Sequence, residues 1–186
     1  MKRFLREPFL FVPDSARTDK KGFVNWSGMS ITQQLAKHFR DIHFGGNWTV
    51  SCLKEHLEGL TWQQATTKIH SFNSIATLTF HTHYYVDVFL KKERGETLNA
   101  KDEYSFLLPP VNSQEDWENL LKKVWEDAET AAKLIEAMPD EKLAEIFIAE
   151  KYGTYFRNIS GIIEHTHYHL GQIVLIKKLV LEKEKR

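Results

Sequence analysis

The chain has 186 residues, enough for one domain with a substantial core and short for two. Lys and Arg number 25 and so do Asp and Glu, so the formal charge is zero; this gives no footprint for nucleic acid or an anionic membrane surface, and neither is expected as a partner. Cys52 is the only cysteine, which excludes an intramolecular disulfide and a thiolate-rich metal site and fits a cytoplasmic home.

The first stretch, MKRFLREPFLFVPDSARTDKKGF, looks at first like an export signal, but Arg6, Glu7 and Pro8 interrupt its apolar run. No segment approaches the length of a spanning helix. Residues 1–29 are therefore expected to form an N-terminal arm ahead of a helical domain at 30–186.

Ser30 to His43 reads as a first helix, with Ser30 as N-cap and Leu35, Phe39 and Ile42 on its apolar side; Gly45 and Gly46 stop it. From Asn47 to Ala65 the residues Trp48, Val50, Leu53, Leu57 and Leu60 suggest a short helix or turn, and Thr61 can cap one more turn. His38, His43 and His56 share no face here, so surface or loop roles are expected for each.

Asn73 to Arg94 reads as the second long helix, with an apolar face of Ile75, Leu78, Tyr85 and Val88 that His81 interrupts. His83 lies ~200° around from His81, at about 100° per residue, so it is expected to be exposed or to pack against another helix. Gly95 to Asn112 is a break, and Pro109-Pro110 forbids helix there. Ser113 begins a third helix running to Ala137, whose broad stripe from Trp117 through Leu121, Val124, Ala128 and Ala131 to Ile135 reads as core. Met138-Pro139 ends it, and Asp140 to Ile148 is expected to be a short amphipathic segment.

The last long helix is expected over Gly161 to Leu179. Its stripe runs Ile162, His165, His169, Gln172, Ile176 and Leu179, so polar residues interrupt a core-facing line. His165 and His169 are four apart and lie one above the other on a helix. Buried polar groups need partners, and one divalent cation would satisfy both imidazoles. The same pair also fits two histidines hydrogen-bonded across a helical core. His167, ~200° away from His165, is expected to face solvent or a neighbouring helix.

With His81, two helices supply three nitrogens, the usual protein contribution to a catalytic metal site with an open position. Imidazole suits zinc, nickel, iron or copper, and affinity order does not choose among them. Gln172, Tyr84, Tyr85 and Asp87 are near enough in sequence to support the rings. A di-iron carboxylate bundle requires two Glu-x-x-His motifs with further inward glutamates; Glu164 to His167 is the only such spacing, so that reading fails. There is no HExxH, no GxSxG elbow and no phosphate loop. Four long helices without a convincing strand imply an all-α bundle.

The segment NSIATLTFHTHYYVDVFL, followed much later by GIIEHTHYHLGQI, resembles the DinB superfamily of metal-binding four-helix bundles, and GGNWT and TWQQA are similar to its members. The likeness spans roughly Ser30 to Leu179, and HxxYHLGQI is its most specific part. The resemblance implies an up-down-down-up bundle, often homodimeric, with a divalent metal, zinc or nickel foremost, on His81, His165 and His169. It further implies, by way of characterised relatives, a metal-dependent S-transferase that directs a low-molecular-weight thiol such as bacillithiol at an electrophile. The other class consistent with it is a non-catalytic metal-binding module acting in a stress response or binding a partner. The sequence marks no catalytic base and no pocket for a thiol cofactor.

Overall fold

A computed structural model describes residues 28–185, and the arm expected at 1–29 lies almost wholly outside them. Helix α1 spans Ile31–Phe44, α2 Leu53–Leu57, α3 Trp62–Thr66, α4 Ile75–Glu93, α5 Gln114–Ala137 and α6 Tyr155–Glu184. The long helices α1, α4, α5 and α6 form the core four-helix bundle, and α2 and α3 pack against one end.

Local chemistry explains where the helices begin. The Ser30 and Thr61 hydroxyls accept from the backbone N–H three residues on, while Gln33 and Gln64 accept from the cap N–H, so both starts are reciprocal capping boxes. Ser74, Ser113 and Thr154 cap α4, α5 and α6 in the same one-sided way. Gly45 and Gly46 end α1 with φ of 111° and 102°, a backbone region that side chains with a Cβ resist. The start of α1 gains a second acceptor from far along the chain: the Asp140 carboxylate accepts from Ile31 N–H at 3.1 Å and Thr32 N–H at 2.9 Å.

The core has two layers. One joins Ala36 and Phe39 of α1, Val86, Phe89 and Leu90 of α4, Ala128 to Ile135 of α5, and Tyr155 to Ile163 of α6. The other joins Ile42, Leu53, Leu57, Ile75, Leu78, Trp117, Leu121 and the α6 residues Leu170, Ile173, Ile176 and Val180. Helices α4 and α6 run antiparallel. Tyr155 at the start of α6 donates to Glu93 at the end of α4, whereas Leu78 near the start of α4 meets Ile176 far along α6.

Several expectations need correction. Helix α6 starts at Tyr155, well before Gly161, because Thr154 caps it. Trp48 and Val50 are exposed, and neither belongs to a helix. Asp140 to Ile148 is a 3₁₀ turn over Asp140–Ala144, followed by an isolated antiparallel bridge between Ile146 and Thr154. The Gly95 to Asn112 break carries its own 3₁₀ turn, Asp102–Phe106, packed on α4. No helix among the described residues is long and apolar enough to cross a membrane.

Candidate metal centre

The bundle brings together His81 of α4 with His165 and His169 of α6, each offering one ring nitrogen within 4.8 Å of the others. The Nε2 atoms of His81 and His165 are 2.9 Å apart. Ring centroids of the three lie 4.5 to 4.7 Å from one another, in edge-to-face arrangements. His81 and His169 are buried and His165 is half-buried. The α6 core line runs through Ile159, Ile163, Thr166, Leu170, Ile173 and Val180. The histidine pair therefore lies at the rim of the buried face rather than along its centre.

The far side of two rings is tied down. Ser105 donates its one hydroxyl proton to the Asp102 carbonyl at 2.5 Å. Its oxygen is then left to accept from Nδ1–H of His81, 2.7 Å away. Gln172 Oε1 accepts from Nδ1–H of His169 at 2.8 Å. A neutral imidazole with its proton on Nδ1 presents a lone pair at Nε2. Both bonds thus aim unprotonated nitrogens at the centre of the cluster, as outer partners of metal-bound histidines do.

Electrostatics favours the same state. Burial pushes His81 down to about 4, with the nearby His169 adding to it. Burial, then His169 and His81, push His165 down to about 4, and burial lowers His169 as well. The rings are therefore neutral at neutral pH, the form that ligates. His165 is the adaptable member: its Nε2–H donates to the His81 lone pair 2.9 Å away, and with the proton moved to Nδ1 the same nitrogen becomes a third ligand, so the residues present fit a divalent metal and the cluster is able to coordinate one.

Around it, Phe106 stacks on His81 at 4.1 Å between centroids, and Tyr85 meets His165 edge-on at 4.8 Å. The Tyr85 hydroxyl donates to the Asp102 carboxylate. Burial and that bond raise its pKa to about 12, so it keeps its proton. Of the supporting residues expected from sequence, Gln172 and Tyr85 are at the site. Tyr84 instead accepts from Lys101 N–H, and Asp87 pairs with Lys91. Ser105, Asp102 and Phe106 were not foreseen. They sit in a break without hydrophobic periodicity, and only the fold-back of that turn onto α4 brings them to His81.

The remaining histidines divide. His83 is buried and packs across to α5, where its Nε2 lies 2.8 Å from Asp127 Oδ2. Burial alone would raise Asp127, but the bonds from His83 and Lys123 outweigh it and hold the carboxyl at about 2. His167 lies 5.9 Å from His38 of α1, facing a neighbouring helix. His43 departs from expectation. It is buried in the bundle, its Nδ1 2.8 Å from the Phe39 carbonyl, because Thr32, Ala36, Phe39 and His43 form the inward stripe of α1.

A family model for the DinB superfamily matches residues 47–173, a span that contains all three clustered histidines. The chain belongs to the DinB superfamily. No curated protein and no solved structure matches it. The DinB match covers α2 through most of α6, and the four-helix bundle with a histidine cluster accords with it.

Proposed function

We propose that this DinB protein binds a divalent metal through His81, His165 and His169 and acts as a metal-dependent thiol S-transferase. The observation that carries the reading is the pair of outward-tied rings: Ser105 and Gln172 hold the Nδ1 protons of His81 and His169, leaving Nε2 lone pairs to converge with His165. Among the described residues the cluster comprises three ligating side chains, which supports a centre with a coordination position left for a small molecule rather than a closed structural site.

A divalent cation held there, zinc or nickel foremost, supplies Lewis acidity that lowers the pKa of a thiol. The overall exchange joins the thiol sulfur to an electrophilic carbon, while the leaving group departs with its bonding electrons and the thiol proton passes to solvent. The chain's own residues orient and shield. Ser105 and Gln172 fix ring tautomers, Phe106 covers one face of His81, and Tyr85 walls the side of His165 with its proton committed to Asp102. The up-down-down-up order is part of the proposal. It is supported by the two core layers, which group the start of α1 with the ends of α4 and α5 and the start of α6. A homodimer and a cytoplasmic home complete it.

The test is metal analysis of purified protein, followed by turnover of a haloaromatic electrophile with bacillithiol and other low-molecular-weight thiols. The expected result is about one divalent ion per chain, with both metal and turnover lost in His165→Ala. Turnover unchanged in that variant would remove any metal-dependent mechanism.

A further inference from the structure

The chain between α4 and α5 runs back along α4 after leaving its end. Lys101 N–H donates to Tyr84, Phe106 stacks on His81, and Leu108 to Val111 come to lie beside Phe80. Pro109 and Pro110 offer no N–H and hold φ fixed, so this stretch does not coil into a helix. Between it, α4 and α5 lies a cavity of about 410 Å3, within the range of small-molecule sites, roughly 300 to 1,000 Å3. None of the three clustered histidines lines it. The imidazole in its wall is His83, which is bonded to Asp127 of α5.

Each helix gives the cavity one stripe. Phe80, Tyr84 and Asp87 follow one another at four and three residues along α4, and Asp116, Leu120 and Lys123 do the same along α5. Phe80 and Tyr84 are half-buried rings that share the lining with Leu120 and the two prolines. The charges are unequal: two carboxylates line the cavity against one ammonium, and that ammonium is already engaged. Lys123 Nζ lies 2.6 Å from Asp127 but 3.9 Å from Asp87 Oδ1, beyond hydrogen-bond distance. Lys91 occupies the other oxygen, Oδ2, at 2.7 Å. Among the described residues no donor bonds to Oδ1, although the Asp87 side chain is only 20 % exposed. A carboxylate oxygen drawn out of water accepts strongly from a charged donor.

We propose that this cavity is a second ligand site, one that binds a small organic cation: an apolar ring lying against Phe80 and Tyr84, with a primary ammonium that donates to Asp87 Oδ1. Tyr84 adds attraction of its own, since a ring face draws a cation held within about 6 Å. An anionic ligand is disfavoured, because Lys123 is engaged by Asp127 and the cavity keeps its excess of carboxylates. The site is built by α4, α5 and the segment joining them, and it does not rest on the metal-centre reading.

The experiment titrates the isotope-labelled full chain with three probes that share one ring and linker, 2-phenylethylamine, 2-phenylethanol and 3-phenylpropanoate, and follows the amide signals by NMR. The amine is expected to move the N–H signals of Val111, Asn119 and Leu120 saturably and to bind roughly tenfold tighter than the alcohol, with the carboxylate weaker still. That comparison needs no variant. Asp87→Asn keeps the shape and removes the charge, and is expected to bring amine and alcohol to about equal affinity. Glu164→Gln, on the exposed side of α6, and His165→Ala are expected to keep the wild-type ratio. Circular dichroism checks that each variant is folded. Equal binding of amine and alcohol, signals that move only around the clustered histidines, or a ratio untouched by Asp87→Asn each overturns the proposal. A ratio lost in His165→Ala would assign the amine to the metal centre and overturn it too, whereas failure of the metal centre alone leaves this site standing.

Discussion

At His81 the two ring nitrogens have separate duties, and the division depends on one serine. Ser105 holds the Nδ1 proton, which leaves Nε2 free toward His165. Removing that hydroxyl in Ser105→Ala frees the ring to take the other tautomer. Metal affinity is expected to fall about ten- to hundredfold, read by competition against a chelator of known affinity, with the helical circular dichroism unchanged. An unaltered affinity would mean that packing under Phe106 alone orients the ring. His43 makes a different test, of pH. Burial, opposed by the Phe39 carbonyl and reinforced by the nearby His83 and His167, lowers it from 6.5 to about 4. Between those values the unfolded chain binds the proton and the folded chain does not, so stability rises with pH across that window and levels off above it. Its span is on the order of 3 kcal/mol. Urea denaturation between pH 4 and pH 7 measures the slope, to which His81 and His165 contribute with the same sign, and His43→Phe is expected to reduce it by the share of one such group. A slope identical in that variant would assign the dependence to other groups.

At the scale of elements, how much could be read in advance followed the reach of the forces involved. Caps act over three residues, so Ser30, Thr61 and Ser113 marked their helices directly. The i,i+4 spacing of His165 and His169 needs only a helix to place both on one face, and the break in the α4 stripe exposed His81 by the same logic. The early start of α6 carried the same kind of local signal in the Thr154 cap, but Gly153 just before it and Gly161 after it obscured the boundary. The stripe of α1 was legible in part: Phe39 and Ile42 are buried as the sequence implied, Leu35 is only half-buried, and Thr32, Ala36 and His43 complete the buried face. The turn Asp102–Phe106 was not legible at all. Its role comes from packing on α4, a tertiary fact, and neither Ser105 nor Phe106 belongs to a pattern that any window of sequence would select.

For the molecule as a whole, the histidine cluster sits where the two core layers meet. Val86, Ile162 and Ile163 belong to one layer, and Leu78, Leu170 and Ile173 to the other. A cation held by His81 and the α6 pair would therefore clamp α4 to α6 at the seam between layers. The two ligand segments lie far apart in the chain and meet only in the fold, so the ion binds the native state in preference to the unfolded one, and binding free energy becomes folding free energy. With free metal at a hundred times its dissociation constant, the gain is about 2.7 kcal/mol. At roughly 2 to 4 °C per kcal/mol for a chain of this length, chelator-treated protein is expected to melt some 5 to 10 °C higher on adding zinc. Differential scanning calorimetry at fixed protein concentration measures this, because a homodimer would add its own concentration dependence. His165→Ala removes one of the convergent nitrogens and should abolish most of the rise, while Glu164→Gln, on the exposed side of the same helical turn, should leave it intact. An equal rise in wild type and His165→Ala would place the stabilising ion elsewhere and separate the bundle's stability from its histidines.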